Sequence, residues 1–310
     1  MKPTRKREIW HLKARDFDSG KAHAAQDWRF QMFFEYLRIS PSYALATTCK
    51  DVGQLAKLLG DDQQAAAVWK TYMEVGNIFE ILYREWWLRK GINLFGIHSD
   101  RPCVEAVQHI AASQPADELL AASYSELGKF ISTSYKAQGM PNSLLVSIPL
   151  GMKQATIMRQ LKLMLDAMST TTGDLKSTYQ LEKNKLRQKR LTAGLRLIYM
   201  KSARPDDEWW RAAARAKISK AHNEIDANAK KKTVDTGVGR RMLTIMASRL
   251  VHDALVIAEN AARGKFPSLA PVATIPFDYD ALGKRLQQVS SYEKLRKEQL
   301  LAKKKAGNVK

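Results

Sequence analysis

Carboxylates, imidazoles and thiols able to do chemistry are thinly spread along this chain. Asp206-Asp207-Glu208 is a dense acidic run, and carboxylates so grouped can hold a divalent metal for phosphodiester chemistry. The same acids open a helical pattern running into Trp209-Trp210, where they complement the helix dipole and cap free amides, a role that needs no metal. His252 and Asp253 are adjacent, and helix neighbours point about 100° apart, too far round to pair for acid–base work. His98, Cys103 and His109 could touch one metal, but no fourth ligand and neither paired-cysteine nor HExxH spacing accompanies them. Cys49 and Cys103 read as small buried hydrophobes. Neither a P-loop nor a GxGxxG after a strand pattern is present. No catalytic residue, metal or cofactor is therefore expected, and the protein reads as non-enzymatic.

The constellation with chemical purpose is electrostatic. Arg241, Thr244 and Ser248 are spaced three and four apart and share a helix face turned away from Leu243, Leu250 and Ile257, with Arg240 just before them and Arg249 near the edge. Arginines and hydroxyls on the first turns of a helix can meet phosphates or enter a major groove. Lys183, Lys185, Arg187, Lys189, Arg190 and Arg196 stud the helical pattern 175–200, and Lys230-Lys231-Lys232 sit in a polar loop, positions suited to phosphate contacts. The whole chain carries a net charge of +20, of which residues 176–250 hold +12 and residues 51–140 hold −3. A solubilising charge would be spread evenly, whereas clustering favours a surface for a polyanion. DNA is the expected partner ahead of RNA. The alternative is an interaction protein that recruits RNA or acidic partners in a defence or conjugation complex.

The elements that must carry these residues are mostly helices. Asp27 opens a strong helical pattern that stops at Ser40-Pro41, because the residue before proline disfavours the helical region. A second pattern covers 42–60 and ends at Gly60. Residues 63–90 form a long aromatic pattern with Trp69, Tyr72, Phe79, Tyr83, Trp86 and Trp87, kinked at Gly76-Asn77 and capped by Gly91. A base-stacking platform would use such rings, but aromatics at helical spacing beside aliphatics read as core. Leu144 to Pro149 is the one strand pattern, with Ile92 to Ile97 as its nearest partner, and an amphipathic helix follows over 151–168. The helices at 207–218 and 240–263 allow a divergent helix-turn-helix, although 219–239 far exceeds the usual turn of about three or four residues.

These readings give a mainly α chain of two helical domains with at most a small two-stranded sheet. Residues 1–26 are a basic flexible arm, 27–170 an aromatic-rich helical domain, and 174–267 a basic nucleic-acid-binding domain behind a Thr170–Gly173 hinge. Residues 268–310 are a linker, a charged helix and a Lys-rich tail. A protein partner or self-association falls to the N-terminal domain. No apolar run reaches the roughly eighteen residues of a membrane span, and the first residues lack the apolar core of a signal peptide, so the cytoplasm and no membrane partner are expected. Phe33-Phe34-Glu35-Tyr36-Leu37-Arg38-Ile39-Ser40-Pro41-Ser42-Tyr43, together with Arg240-Arg241 and Ala258-Glu259-Asn260-Ala261-Ala262-Arg263-Gly264-Lys265-Phe266-Pro267, resembles segments of uncharacterised proteins from bacterial mobile elements. That resemblance implies a plasmid, integrative-element or prophage setting.

Overall fold

A computed structural model describes residues 11–111, 114–168, 176–182, 186–222, 224–229 and 234–307. The chain is mainly α, and β pairing among the described residues is confined to isolated bridges. Among the described residues no helix is long and apolar enough to cross a membrane. The chain divides into two compact units, one holding the described parts of 1–17, 25–96 and 178–310, the other 18–24 and the described parts of 97–177.

The larger unit begins with α1 (Arg29–Ile39), α2 (Pro41–Ala46), α3 (Val52–Leu59) and α4 (Asp62–Val75). The expected break at Ser40-Pro41 is present: Ser40 is extended, and its Oγ accepts from the Tyr43 amide to cap α2. The pattern at 42–60 is two helices, not one, because Asp51 caps α3 at the Gln54 amide. Gly60 then ends α3 in the left-handed region, at φ 69°. The aromatic stretch breaks after Val75, resumes as α5 (Tyr83–Trp86), widens into a π turn over Trp87–Gly91 and closes as α6 (Ile92–Phe95). Gly91 is therefore no cap. It lies inside the turn because a Cβ there would meet the Trp87 ring at 2.7 Å and the Trp86 ring at 3.0 Å. Both indoles are buried, packed on Phe30, Phe33, Phe34 and Phe95.

The second half of this unit is α9 (Gln188–Ala203), α10 (Trp209–Ala216), α11 (Val234–Ala261) and α12 (Tyr279–Gly307). Its helices share a core with α1 and α2. The buried Tyr36 hydroxyl donates to the Leu191 carbonyl at 3.0 Å. At Gly194 an added Cβ would lie 3.1 Å from that hydroxyl and 3.4 Å from the Ala254 Cβ, so α9 and α11 cross closely there. The expected boundary between 170 and 174 therefore does not separate an aromatic domain from a basic one. The described parts of 27–96 and 178–310 form one body, because the apolar faces of α1, α9 and α11 are complete only together. The residues of the expected hinge, Thr170 to Gly173, lie outside the described residues.

The polar centre of this body is Glu259, fully buried on α11. Its carboxylate accepts from the Ser40 hydroxyl at 2.8 Å, from the Ser42 amide at 3.1 Å and from the Ser42 hydroxyl. Arg263, one turn on, donates to the same carboxylate at 2.9 Å. Arg263 also donates to Gln64 on α4 and to the Ala273 carbonyl, while Asn260 donates to the Ala270 carbonyl at 2.9 Å, so 268–273 is pinned against α11.

Three further expectations are corrected. Residues 11–26 are not a flexible arm, since Asp16 and Phe17 are buried and Arg84 grips the Asp16 carboxylate through two nitrogens at 2.7 and 2.9 Å. Residues 144–149 are irregular and exposed, while Ile92–Phe95, their expected partner, is helical. The helix expected from 175 begins only at Gln188.

The smaller unit joins α7 (Ala116–Phe130), a π turn over Ile131–Tyr135 and α8 (Gln154–Ala167) to the segment 18–24. His23 and Ile97 exchange backbone hydrogen bonds at 3.0 and 2.8 Å, and the Asp100 amide donates to the Ala137 carbonyl at 2.9 Å.

A buried carboxylate stripped of its partners is costly, so Glu259→Ala is expected to lower the unfolding free energy by roughly 3–5 kcal/mol in urea titration. A loss within about 0.5 kcal/mol, as for an ordinary surface change, would contradict this role. The Arg84 hydrogen bonds hold the Asp16 carboxyl below its usual range. Its contribution is thus full above the unfolded carboxyl pKa and drains away as pH falls through the lowered folded value. Unfolding measured at neutral and acidic pH should show a shallower acid limb in Asp16→Asn than in the wild type.

Candidate nucleic-acid interface

α11 is buried along one side and open along the other. Leu243, Ala247, Ala254 and Ile257 are in the core, while Arg241, Thr244, Ser248 and Arg249 are exposed, in agreement with the face drawn from their spacing. The Thr244 hydroxyl donates to the Arg240 carbonyl at 3.0 Å, which leaves its oxygen lone pairs toward solvent. The exposed side also carries Met242 and Ile245, at 43% and 40% exposure, which the charge pattern alone does not single out. Their signal is nonetheless in the sequence: both fall off the Leu243 seam, Ile245 between Arg241 and Arg249 on the helical wheel and Met242 just beyond Arg249.

Arg240 departs from the expected role. Its guanidinium lies 4.1 Å from the centre of the buried Trp210 ring and donates to the Ala229 carbonyl at 3.3 Å. Arg211 meets the same indole at 4.5 Å and donates to the Ala227 carbonyl at 2.7 Å. Arg215 reaches Asn228 Oδ1 at 3.0 Å. Three arginines from α10 and α11 thus hold residues 227–229, immediately before Lys230. They act by cation–π attraction and by satisfying backbone carbonyls that would otherwise lack donors.

This arrangement also assigns the acidic run. Asp207 pairs with Arg215 at 3.0 Å, and Glu208 pairs with Arg211 and accepts from the Trp210 indole, while no side chain caps α10 by a hydrogen bond. Asp207 and Glu208 are not a cap in the strict sense; they neutralise the arginines of their own helix. Among the described residues no three His, Cys, Asp or Glu side chains come together as metal ligands would.

On α9, Arg187, Lys189 and Arg196 are exposed. Arg190 is drawn into an ion pair with Asp253 of α11, its Nε donating at 2.9 Å, so it ties the two helices and offers less to a ligand than its neighbours. Lys183, Lys185, Lys230, Lys231 and Lys232 lie outside the described residues. α10 packs on α11 in a shared apolar cluster of Leu197, Trp210, Ala213, Leu243 and Ala247.

Elsewhere in the larger unit a cavity of about 420 Å³ is lined by Glu35, Arg38, Tyr199, Gln287, Ser290 and Glu293. Its charges are matched internally: Arg38 pairs with Glu293 at 2.7 Å, and the Tyr199 hydroxyl donates to Glu35 at 2.9 Å. Comparison with known proteins finds no matching family model, no similar curated protein and no similar solved structure.

The two adjacent arginines should separate cleanly on substitution. Arg240→Ala is expected to lower stability by roughly 1–3 kcal/mol, because it removes the indole stacking and the carbonyl bond together. Arg241→Ala should stay within about 0.5 kcal/mol of the wild type. Equal melting temperatures for the two variants would remove the structural role given to Arg240.

Proposed function

We propose that this chain is a non-enzymatic DNA-binding accessory or regulatory protein of a mobile genetic element, acting in the cytoplasm. The observation that carries the reading is the exposed row Arg241, Thr244, Ser248 and Arg249 on a helix whose opposite side is locked into the core. A side-chain row fixed on a packed helix can be offered to a duplex without ordering a loop first. The major groove admits a helix, arginine matches the guanine edge, and exposed Met242 and Ile245 suit the thymine methyl. Arg187, Lys189 and Arg196, on the neighbouring α9, supply phosphate contacts that set position without reading sequence. Packing of α10 on α11 supports a divergent helix-turn-helix in which the usual tight turn is replaced by an arginine-pinned connection. The mobile-element setting rests on the two sequence stretches around Ser40-Pro41-Ser42 and Glu259-Asn260.

Mobility shifts against duplex DNA, single-stranded DNA and structured RNA at two salt concentrations test this, with duplex DNA expected to bind tightest. Replacing Arg241 and Thr244 by Ala should weaken a preferred duplex more than a random one, by roughly 1–3 kcal/mol for each base edge that either side chain reads. Replacing Lys230, Lys231 and Lys232 by Ala should lower the log–log salt slope by at most about 2.7 units and leave sequence preference intact. Tighter binding to RNA, or no binding to any of the three, would remove DNA as the partner.

A further inference from the structure

The cavity of about 420 Å³ lies beneath α12, between that helix and the last turns of α1 and α9. Its volume falls within the range of small-molecule sites, and Ala203, Leu286 and Val289 give it an apolar wall. The exposed basic row of α11 takes no part in its lining.

What the cavity can hold depends on which of its polar groups already have partners. The donors do. The buried Arg38 gives its Nε to the Ile78 carbonyl at 3.3 Å and its terminal nitrogens to the Ile81 carbonyl at 3.1 Å and Glu293 Oε1 at 2.7 Å. Lys297, outside the lining, donates to Glu293 Oε2 at 3.1 Å, so both oxygens of that carboxylate are engaged. The Tyr199 hydroxyl donates its one hydrogen to Glu35 Oε2 at 2.9 Å. Burial and the nearby Glu35 carboxylate raise the Tyr199 pKa well above the usual phenol range, so that hydrogen stays in place. The buried Ser202 hydroxyl donates to the Ile198 carbonyl of its own helix at 2.8 Å.

The acceptors are less occupied. Among the described residues Glu35 Oε1 accepts no hydrogen bond, since the Arg38 guanidinium stands 3.6 Å from it. The Tyr199 and Ser202 oxygens accept none either, although each keeps lone pairs beyond the bond it donates. A ligand that completes this site must therefore bring donors. The lining itself holds two carboxylates to one guanidinium, which favours a donor with positive charge. An anion, which a chain of net charge +20 attracts elsewhere, would here meet Glu35 and Glu293.

We propose that the cavity beneath α12 is a binding site for a small organic amine, whose ammonium donates to Glu35 Oε1 and the Tyr199 oxygen while its apolar body rests on Leu286 and Val289. Calorimetric titration of nuclease-treated, full-length protein with phenethylamine, 2-phenylethanol and phenylacetate compares an ammonium, a hydroxyl and a carboxylate on one apolar body. Phenethylamine should bind tightest, by roughly tenfold or more. Glu35→Gln should weaken phenethylamine by a similar factor. Ser290→Trp, at an exposed position of the lining, should close the cavity and abolish binding with the melting temperature unchanged. Should Glu35→Gln fail to fold, Ser290→Trp decides alone. Absence of phenethylamine binding would overturn the proposal. So would equal or tighter binding of the alcohol or the carboxylate, or an affinity for phenethylamine unchanged in either folded variant.

Discussion

The larger unit is organised around one fully buried carboxylate. Removing the Glu259 side chain from water carries a desolvation cost of several kcal/mol, which is offset only where every oxygen finds a donor. Ser40, Ser42 and Arg263 provide those donors, and each comes with structure attached. Ser40 and Ser42 flank the proline that starts α2, so satisfying Glu259 sets the corner between α1 and α2. Arg263 extends the same network to α4 and to residues beyond α11. The end of α11 is thereby fixed relative to the N-terminal helices. The middle turns, where the exposed Arg241 and Arg249 lie, inherit that rigidity through a continuous helix. The stretches Phe33–Tyr43 and Ala258–Pro267 are the two sides of this network.

Positive charge is the most conspicuous property of the chain, yet much of it is used inside. Arg38 is buried against the Phe34 ring and donates to two backbone carbonyls and Glu293. Arg84 holds Asp16, Arg263 holds Glu259, and Arg211, Arg215 and Arg240 hold the connection before α11. The guanidinium suits this work: it is planar, weakly hydrated, and can satisfy carbonyls and carboxylates while its face stacks on an aromatic ring. A charge count along the sequence therefore overstates the surface offered to a polyanion. Of the basic residues singled out along the sequence, Arg187, Lys189, Arg196, Arg241 and Arg249 are exposed and, among the described residues, without an ion pair inside the fold.

The sequence by itself determined the helical class, the helix stops at Ser40-Pro41 and Gly60, the burial of Trp86 and Trp87, and the face shared by Arg241, Thr244 and Ser248. These are readable because they depend on local quantities: proline sterics, the left-handed tolerance of glycine, and a period of about 3.6 residues that assigns each side chain to a face. Only the tertiary structure decided that the described parts of 27–96 and 178–310 are one body, that Gly91 lies beneath two indoles rather than ending a helix, and that Arg240 turns inward while Arg241 turns out. It also assigned Asp207 and Glu208 to arginines of their own helix, and left Leu144 to Pro149 without the strand its composition suggested. Each of these outcomes depends on which partner stands opposite. Spacing along a chain places a residue on a face but does not say what that face meets. Ion pairs, ring stacking and buried carboxylates are settled between elements far apart in sequence, after the local rules have been satisfied.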